Sequence, residues 1–128
     1  MISKFLSYKN KFYILFLFFF SIIVNQYYGN RGAFPIDSFH FFDSGYRVLN
    51  GDVPFTDYWL VKGPLLDYIQ AIFFYIFGVN WQSYVLQASL INALITISTF
   101  FVLKNFKLKT TYCFLYSLLF SILAYQCL

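Results

Sequence analysis

Long apolar blocks separated by short polar interruptions set the organisation of this chain. Residues 12–28 are almost wholly apolar and end in Asn25-Gln26-Tyr27-Tyr28. Residues 29–63 are polar by comparison and rich in turn formers. Residues 64–77 are apolar again but carry Asp67 and Gln70, and Gly78 ends them. Two more apolar runs, 84–103 and 110–128, flank Lys104, Lys107 and Lys109. Apolar residues come in blocks rather than at an amphipathic period, which is the signature of membrane spans. About 20 apolar residues cross a bilayer, so 12–28, 84–103 and 110–128 read as three transmembrane helices. Residues 64–77 are too few to cross, which favours an interfacial or re-entrant helix.

Within the polar stretch, 38–49 has the pattern of a short amphipathic helix. Phe39, Phe42, Tyr46 and Leu49 recur on one face, with His40, Ser44 and Arg47 on another. Pro35 precedes it and Asn50-Gly51 stops it. Such a helix can lie on a membrane surface. The expected fold is thus an all-α integral membrane domain: three spans, plus two juxtamembrane helices in the first outer loop.

Composition agrees. Hydrophobic residues make up 60% of the chain and charged residues 11%, against the quarter share usual in soluble domains. The net charge of +4 does not indicate nucleic acid, because no basic stripe interleaves with exposed aromatics. Six lysines lie at the ends of apolar runs, as the positive-inside rule predicts for cytoplasmic ends. Residues 1–11 and 104–109 are therefore expected in the cytoplasm and 29–83 outside. That arrangement requires one crossing between the loop and Lys104, so 64–77 cannot itself span. A cleaved signal peptide competes with an anchor for 12–28, but the bulky residues 25–28 do not suit a cleavage site. Cys113 and Cys127 sit about 21 Å apart along one predicted helix, too far for a disulfide, and read as packing or lipid-facing residues.

All five carboxylates lie between Asp37 and Asp67, and glutamate is absent. That loop is where polar chemistry is expected. Asp37, just ahead of the amphipathic helix, reads either as its N-cap or as a general base held at the membrane surface. Asp37, His40 and Asp43 recur every three residues, the one spacing here that suggests a divalent metal. Three ligands from one helix drift around its axis, so a solvated polar face is the plainer reading, and no cofactor is expected. No nucleophile-elbow pattern accompanies the serines and histidine. Arg47 and Lys62 read as ion-pair partners of Asp43 or Asp57, or as a phosphate clamp. Asp67, inside an apolar helix, needs a partner, with Lys62 or Arg47 the nearest candidates.

Three groups of residues together resemble the first outer loop of the GT-C glycosyltransferases. They are Asp37; the run Gly45-Tyr46-Arg47-Val48-Leu49-Asn50-Gly51-Asp52-Val53-Pro54-Phe55-Thr56-Asp57-Tyr58; and Lys62-Gly63-Pro64-Leu65-Leu66-Asp67-Tyr68, followed by Ile76-Phe77-Gly78. The protein O-mannosyltransferases and lipid A aminoarabinose transferases are most similar. The resemblance covers roughly residues 10–105. It implies transfer of a sugar from a polyprenyl-phosphate carrier to an acceptor hydroxyl or amine at the outer face. It also implies Asp37 as general base and Lys62 at the donor phosphate; Arg47, His40 and Asp67, the loop's other candidate polar residues, are expected to line the substrate. Ser38 stands where many members carry a second acid, Gly63 replaces a proline, and Val61 occupies a position that is acidic in the aminoarabinose transferases.

Family members are far longer, so the chain is expected to be the N-terminal part of such an enzyme. Its expected partners are membrane lipid, the lipid-linked donor, and a further subunit or the remaining C-terminal part. A bacterial inner membrane is the expected location. The competing expectation is a non-catalytic small membrane protein acting in assembly or lipid interaction. In that case Gln87, Asn92, Thr96 and Ser98 would pair helices. A transporter would need ionisable residues within the spans, and none has one.

Overall fold

The computed structural model describes residues 8–31, 35–60 and 63–124, with the side chains of residues 9 and 35–37 outside that description. Among the described residues the chain is all helical. Five helices follow in order: α1 (Tyr8–Gly29), α2 (Pro35–Leu49), α3 (Leu65–Phe77), α4 (Trp81–Asn105) and α5 (Thr110–Ala124).

Two of them are long and apolar enough to cross a membrane, over Asn10–Gly29 and Trp81–Asn105. At 1.5 Å per residue these stretches reach about 30 and 37 Å, the thickness of a hydrocarbon core or more. Helix α5 has 15 described residues and reaches about 22 Å, short of a full span. The expected third span over 110–128 is therefore seen only as this shorter helix, and residues 125–128 lie outside the description. Helix α3, with 13 residues, is too short to cross, as its sequence suggests.

Local chemistry explains the boundaries. Helix α2 ends in a Schellman motif: Gly51, at φ 99°, donates its N–H to the Val48 carbonyl, and the Asp52 N–H reaches the Arg47 carbonyl. The Gly78 N–H closes α3 onto the Phe74 carbonyl from φ 83°. Asn80 then serves two helices. Its amide donates to the carbonyls of Phe77 and Gly78, and its Oδ1 accepts the N–H of Ser83 at 2.9 Å. With Asn80 as N-cap, α4 starts at Trp81, three residues before the expected span.

The chain divides into two compact units, one of Met1–Tyr28 with Ser89–Cys127, the other of Gly29–Ala88. The first packs Leu17, Phe100 and Cys113 at its centre, one from each of α1, α4 and α5. The rings of Tyr13 and Phe114 stack with centroids 4.6 Å apart. Cys113 is thus a packing residue. Ser21, Asn92, Thr96, Ser117 and Ser121 are also buried, whereas Phe12, Phe19, Ile23, Leu94, Tyr116 and Leu119 are exposed. Small and polar side chains inside with apolar ones outside invert the soluble pattern.

The second unit is built on α2 against α3, with the first turns of α4. Phe74, Tyr84 and Val85 form its core, and Phe41, Phe42, Leu49 and Trp81 pack around them. The buried stripe of α2 mixes aromatic and small residues. Phe42 and Leu49 belong to it, but Phe39 and Tyr46 are exposed and their places are taken by Ser38, Ser44 and Gly45. The reason is steric. A Cβ on Gly45 would stand 2.5 Å from Cγ and 2.8 Å from Cβ of Gln70, so the helices approach through a residue without a side chain. Helix α3 is inverted too. Asp67, Gln70, Ala71 and Phe74 are its buried side, while Leu65, Ile72, Tyr75 and Ile76 are exposed.

Candidate functional site

The polar residues of the second unit converge where the turn after α2 meets the start of α3. Asp57 folds that turn by accepting the Val53 N–H on Oδ2 at 2.7 Å, while its own N–H donates to the Val53 carbonyl. The Phe55 N–H donates to the Tyr58 carbonyl at 2.9 Å, and a bridge joins Pro54 to Tyr58. The closed turn aims Tyr58 at α3, where its hydroxyl donates to Asp67 Oδ2 at 3.1 Å.

Asp67 is 1% exposed, and burial raises its pKa above the ordinary carboxylate value. The Tyr58 hydrogen bond and the positive field of His40 oppose that rise. The Tyr58 phenol is in turn pushed well above its usual range, by burial first and then by the Asp67 charge. Asp67 thus disfavours ionisation of the phenol, whereas the phenol's hydrogen bond favours the ionised carboxylate that accepts it, against the effect of burial.

The partner of Asp67 is thus Tyr58, not Arg47, and Lys62 lies outside the described residues. Arg47 engages elsewhere. Its Nε is 2.8 Å from Asp43 Oδ2, one helical turn back, and a terminal nitrogen is 4.0 Å from Asp52 Oδ2. These carboxylates raise the guanidinium's pKa, Asp43 most. The guanidinium also lies 5.6 Å from the Tyr58 ring centre, within cation–π range. Arg47 pairs with Asp43 as expected, but Asp57 is spent on the turn. Two acids on one base leave the Arg47 locus net negative. Coulomb's law then makes it a poor phosphate clamp unless an acid withdraws.

His40 is exposed on α2, and its carbonyl accepts the Ser44 hydroxyl at 2.8 Å. Asp37 is the third residue of α2, because the helix begins at Pro35 rather than at residue 38. It therefore stands inside the first turn instead of ahead of it, and its side chain lies outside the description. Acids in a first turn still favour the helix through its dipole. Among the described residues, no group of three His, Cys, Asp or Glu side chains could hold a metal ion.

Two residues of this region were not legible as site members. Tyr58 was one aromatic among twelve tyrosines, and nothing local marked it as the acid's partner. Gln70 is 2% exposed and neither of its amide atoms has a hydrogen-bond partner. Its spacing of three from Asp67 was the available signal, since i and i+3 share a helix face. Comparison with protein-family models, with curated proteins and with solved structures finds no match to this chain.

Proposed function

We propose that this chain supplies the first outer loop and flanking spans of a GT-C-type glycosyltransferase that uses a polyprenyl-phosphate sugar. The observation that carries the proposal is the Tyr58–Asp67 contact. It joins the two separate stretches of the resemblance, the 51–58 turn and the segment that opens α3. Residues that resemble a family motif in sequence are thereby neighbours in space. The inverted polarity of α3 supports a place at a membrane, with its apolar side toward lipid.

In this proposal the domain is integral to a bacterial inner membrane, with α1, α4 and the 110–128 segment that α5 begins as spans and residues 29–83 outside. Asp37 takes the proton of the acceptor hydroxyl or amine as that atom bonds to the anomeric carbon. The bond from that carbon to the carrier phosphate breaks, and polyprenyl phosphate departs with the electron pair. A cation offsets the charge on the leaving phosphate. Lys62 takes that part, because Arg47 is already held by two acids.

The test is transfer from a radiolabelled polyprenyl-phosphate sugar by the full protein in membranes. Asp37→Asn should abolish transfer while leaving membrane insertion intact. Undiminished transfer would remove Asp37 from the mechanism. Cysteines placed near Lys107 should be labelled only from the cytoplasmic side, and outer-face labelling would overturn the topology.

A second reading, a non-catalytic membrane subunit, is favoured by the buried Asn92 Nδ2, Thr96 Oγ1, Ser117 Oγ and Ser121 Oγ, which have no hydrogen-bond partner. Polar groups of this kind pair helices within a bilayer. Ser98 is not among them, since its hydroxyl donates to the Leu94 carbonyl. Full function after all loop aspartates are changed to asparagine would decide for the subunit.

A further inference from the structure

The turn between α2 and α3 holds its most apolar residues outward on a rigid frame. Phe55 is 61% exposed and Trp59 77%, with Val53 half exposed beside them. Phe55 also sits at φ 68°, a left-handed backbone that bulky side chains rarely adopt and that costs on the order of 1 kcal/mol. A side chain that is 61% exposed gains little from internal packing to offset that strain. Four hydrogen bonds fix the turn, among them Val53 N–H to Asp57 and Phe55 N–H to the Tyr58 carbonyl, and Tyr58 ties it to the buried Asp67. Leu60, directly after Trp59, is buried.

The covalent frame says what meets these side chains. The second unit holds the last residue of α1 and the first turns of α4, the two helices of spanning length. Those ends are tied together: the Trp81 indole donates to the Gly29 carbonyl at 2.8 Å, and Gln82 donates to Asn30 at 2.7 Å. The unit thus begins at the end of one helix of spanning length and closes with the first turns of the other. Its helix α3 exposes Ile72, Tyr75 and Ile76 while burying Asp67 and Gln70. The amphipathic ring of tryptophan matches the headgroup level, and the apolar ring of phenylalanine the acyl boundary just beneath it.

We propose that the 53–59 turn is a membrane-insertion loop, which seats Phe55 and Trp59 in the headgroup–acyl boundary of a bilayer. The Tyr58–Asp67 bond fixes the depth of the turn relative to α3. The charges on the turn do not oppose this, because Asp57 is bonded to Val53 N–H and Asp52 faces Arg47. The partner is the neutral lipid surface, since the acids around the turn would repel anionic headgroups. The proposal rests on the membrane placement above and is independent of glycosyl transfer.

The test uses the full chain in vesicles of phosphatidylcholine or its acyl-brominated analogue, with the wild type compared against Trp59→Phe. The difference in fluorescence isolates Trp59 and leaves Trp81 undisturbed. Brominated lipid should remove most of the Trp59 emission, while aqueous iodide should remove little. Leu94→Trp, at an exposed position of α4, reports separately whether the spans are inserted. If that indole is quenched by brominated lipid but Trp59 is quenched only by iodide, the insertion loop is overturned and the spans stand. If Trp59 is shielded from both quenchers, a protein partner covers the turn and the proposal fails. If brominated lipid quenches neither position, the membrane placement fails and the loop with it.

Discussion

Gly45→Ala should destabilise the protein, against the ordinary helix rule. Alanine in a helix interior is favoured over glycine by about 1 kcal/mol. Here the new methyl group would stand 2.5 Å from Gln70 Cγ, 2.8 Å from Gln70 Cβ and 3.4 Å from a Phe74 ring carbon. The first two atoms sit close to the α3 backbone and cannot swing away as the end of a side chain can. The helices must move apart, and overpacking of this kind costs roughly 1–3 kcal/mol. With contacts this short the upper part of that range applies, which leaves a net loss of about 2 kcal/mol once the propensity gain is subtracted. Gln70→Ala removes the Cγ contact and keeps the Cβ contact, so the pair should couple favourably by about 1 kcal/mol. Thermal or denaturant unfolding in detergent micelles, followed by near-ultraviolet circular dichroism, measures both quantities. A Gly45→Ala protein as stable as the wild type would mean that α2 and α3 do not meet at this distance.

Three further outcomes follow from the same unit. Asp67 has a raised pKa, so the folded state holds a proton that the unfolded state releases near the ordinary 3.8. Stability should therefore be full below that value and fall as pH rises from it through the folded value. Asp67→Asn should flatten the slope in a pH series of unfolding curves, and an unchanged slope would remove Asp67 as its source. Asn80→Ala should cost about 1 kcal/mol through loss of the cap on Ser83 N–H, seen as a lower midpoint; an unaltered midpoint would discount that bond. Phe55→Asn should raise stability in detergent by about 1 kcal/mol, because asparagine tolerates the left-handed backbone that Phe55 holds. A loss of stability there would mean that burial of the ring, in the protein or in the micelle, outweighs the strain.

What the sequence determined by itself was whatever a short window of residues fixes. Blocks of apolar residues identified α1 and α4, since spanning length and composition need no knowledge of neighbours. Gly51 and Gly78 marked the ends of α2 and α3, because a positive φ is a local demand that glycine meets. The clustering of acids located the loop in which Asp67 and Arg47 now stand. The tertiary structure decided which faces met. Hydrophobicity grouped Phe39, Phe42, Tyr46 and Leu49 on one face of α2 without saying what each would meet; close approach to α3 requires a residue without a side chain, so Gly45, with Ser38 and Ser44, is buried while Phe39 and Tyr46 stay exposed. It also decided partnership. Electrostatics alone paired Asp67 with a cation, whereas the closed turn delivers Tyr58 to it and leaves Arg47 between Asp43 and Asp52. Such pairings depend on the path of the chain through residues 51–58, a distance relation that no periodicity within a single helix encodes.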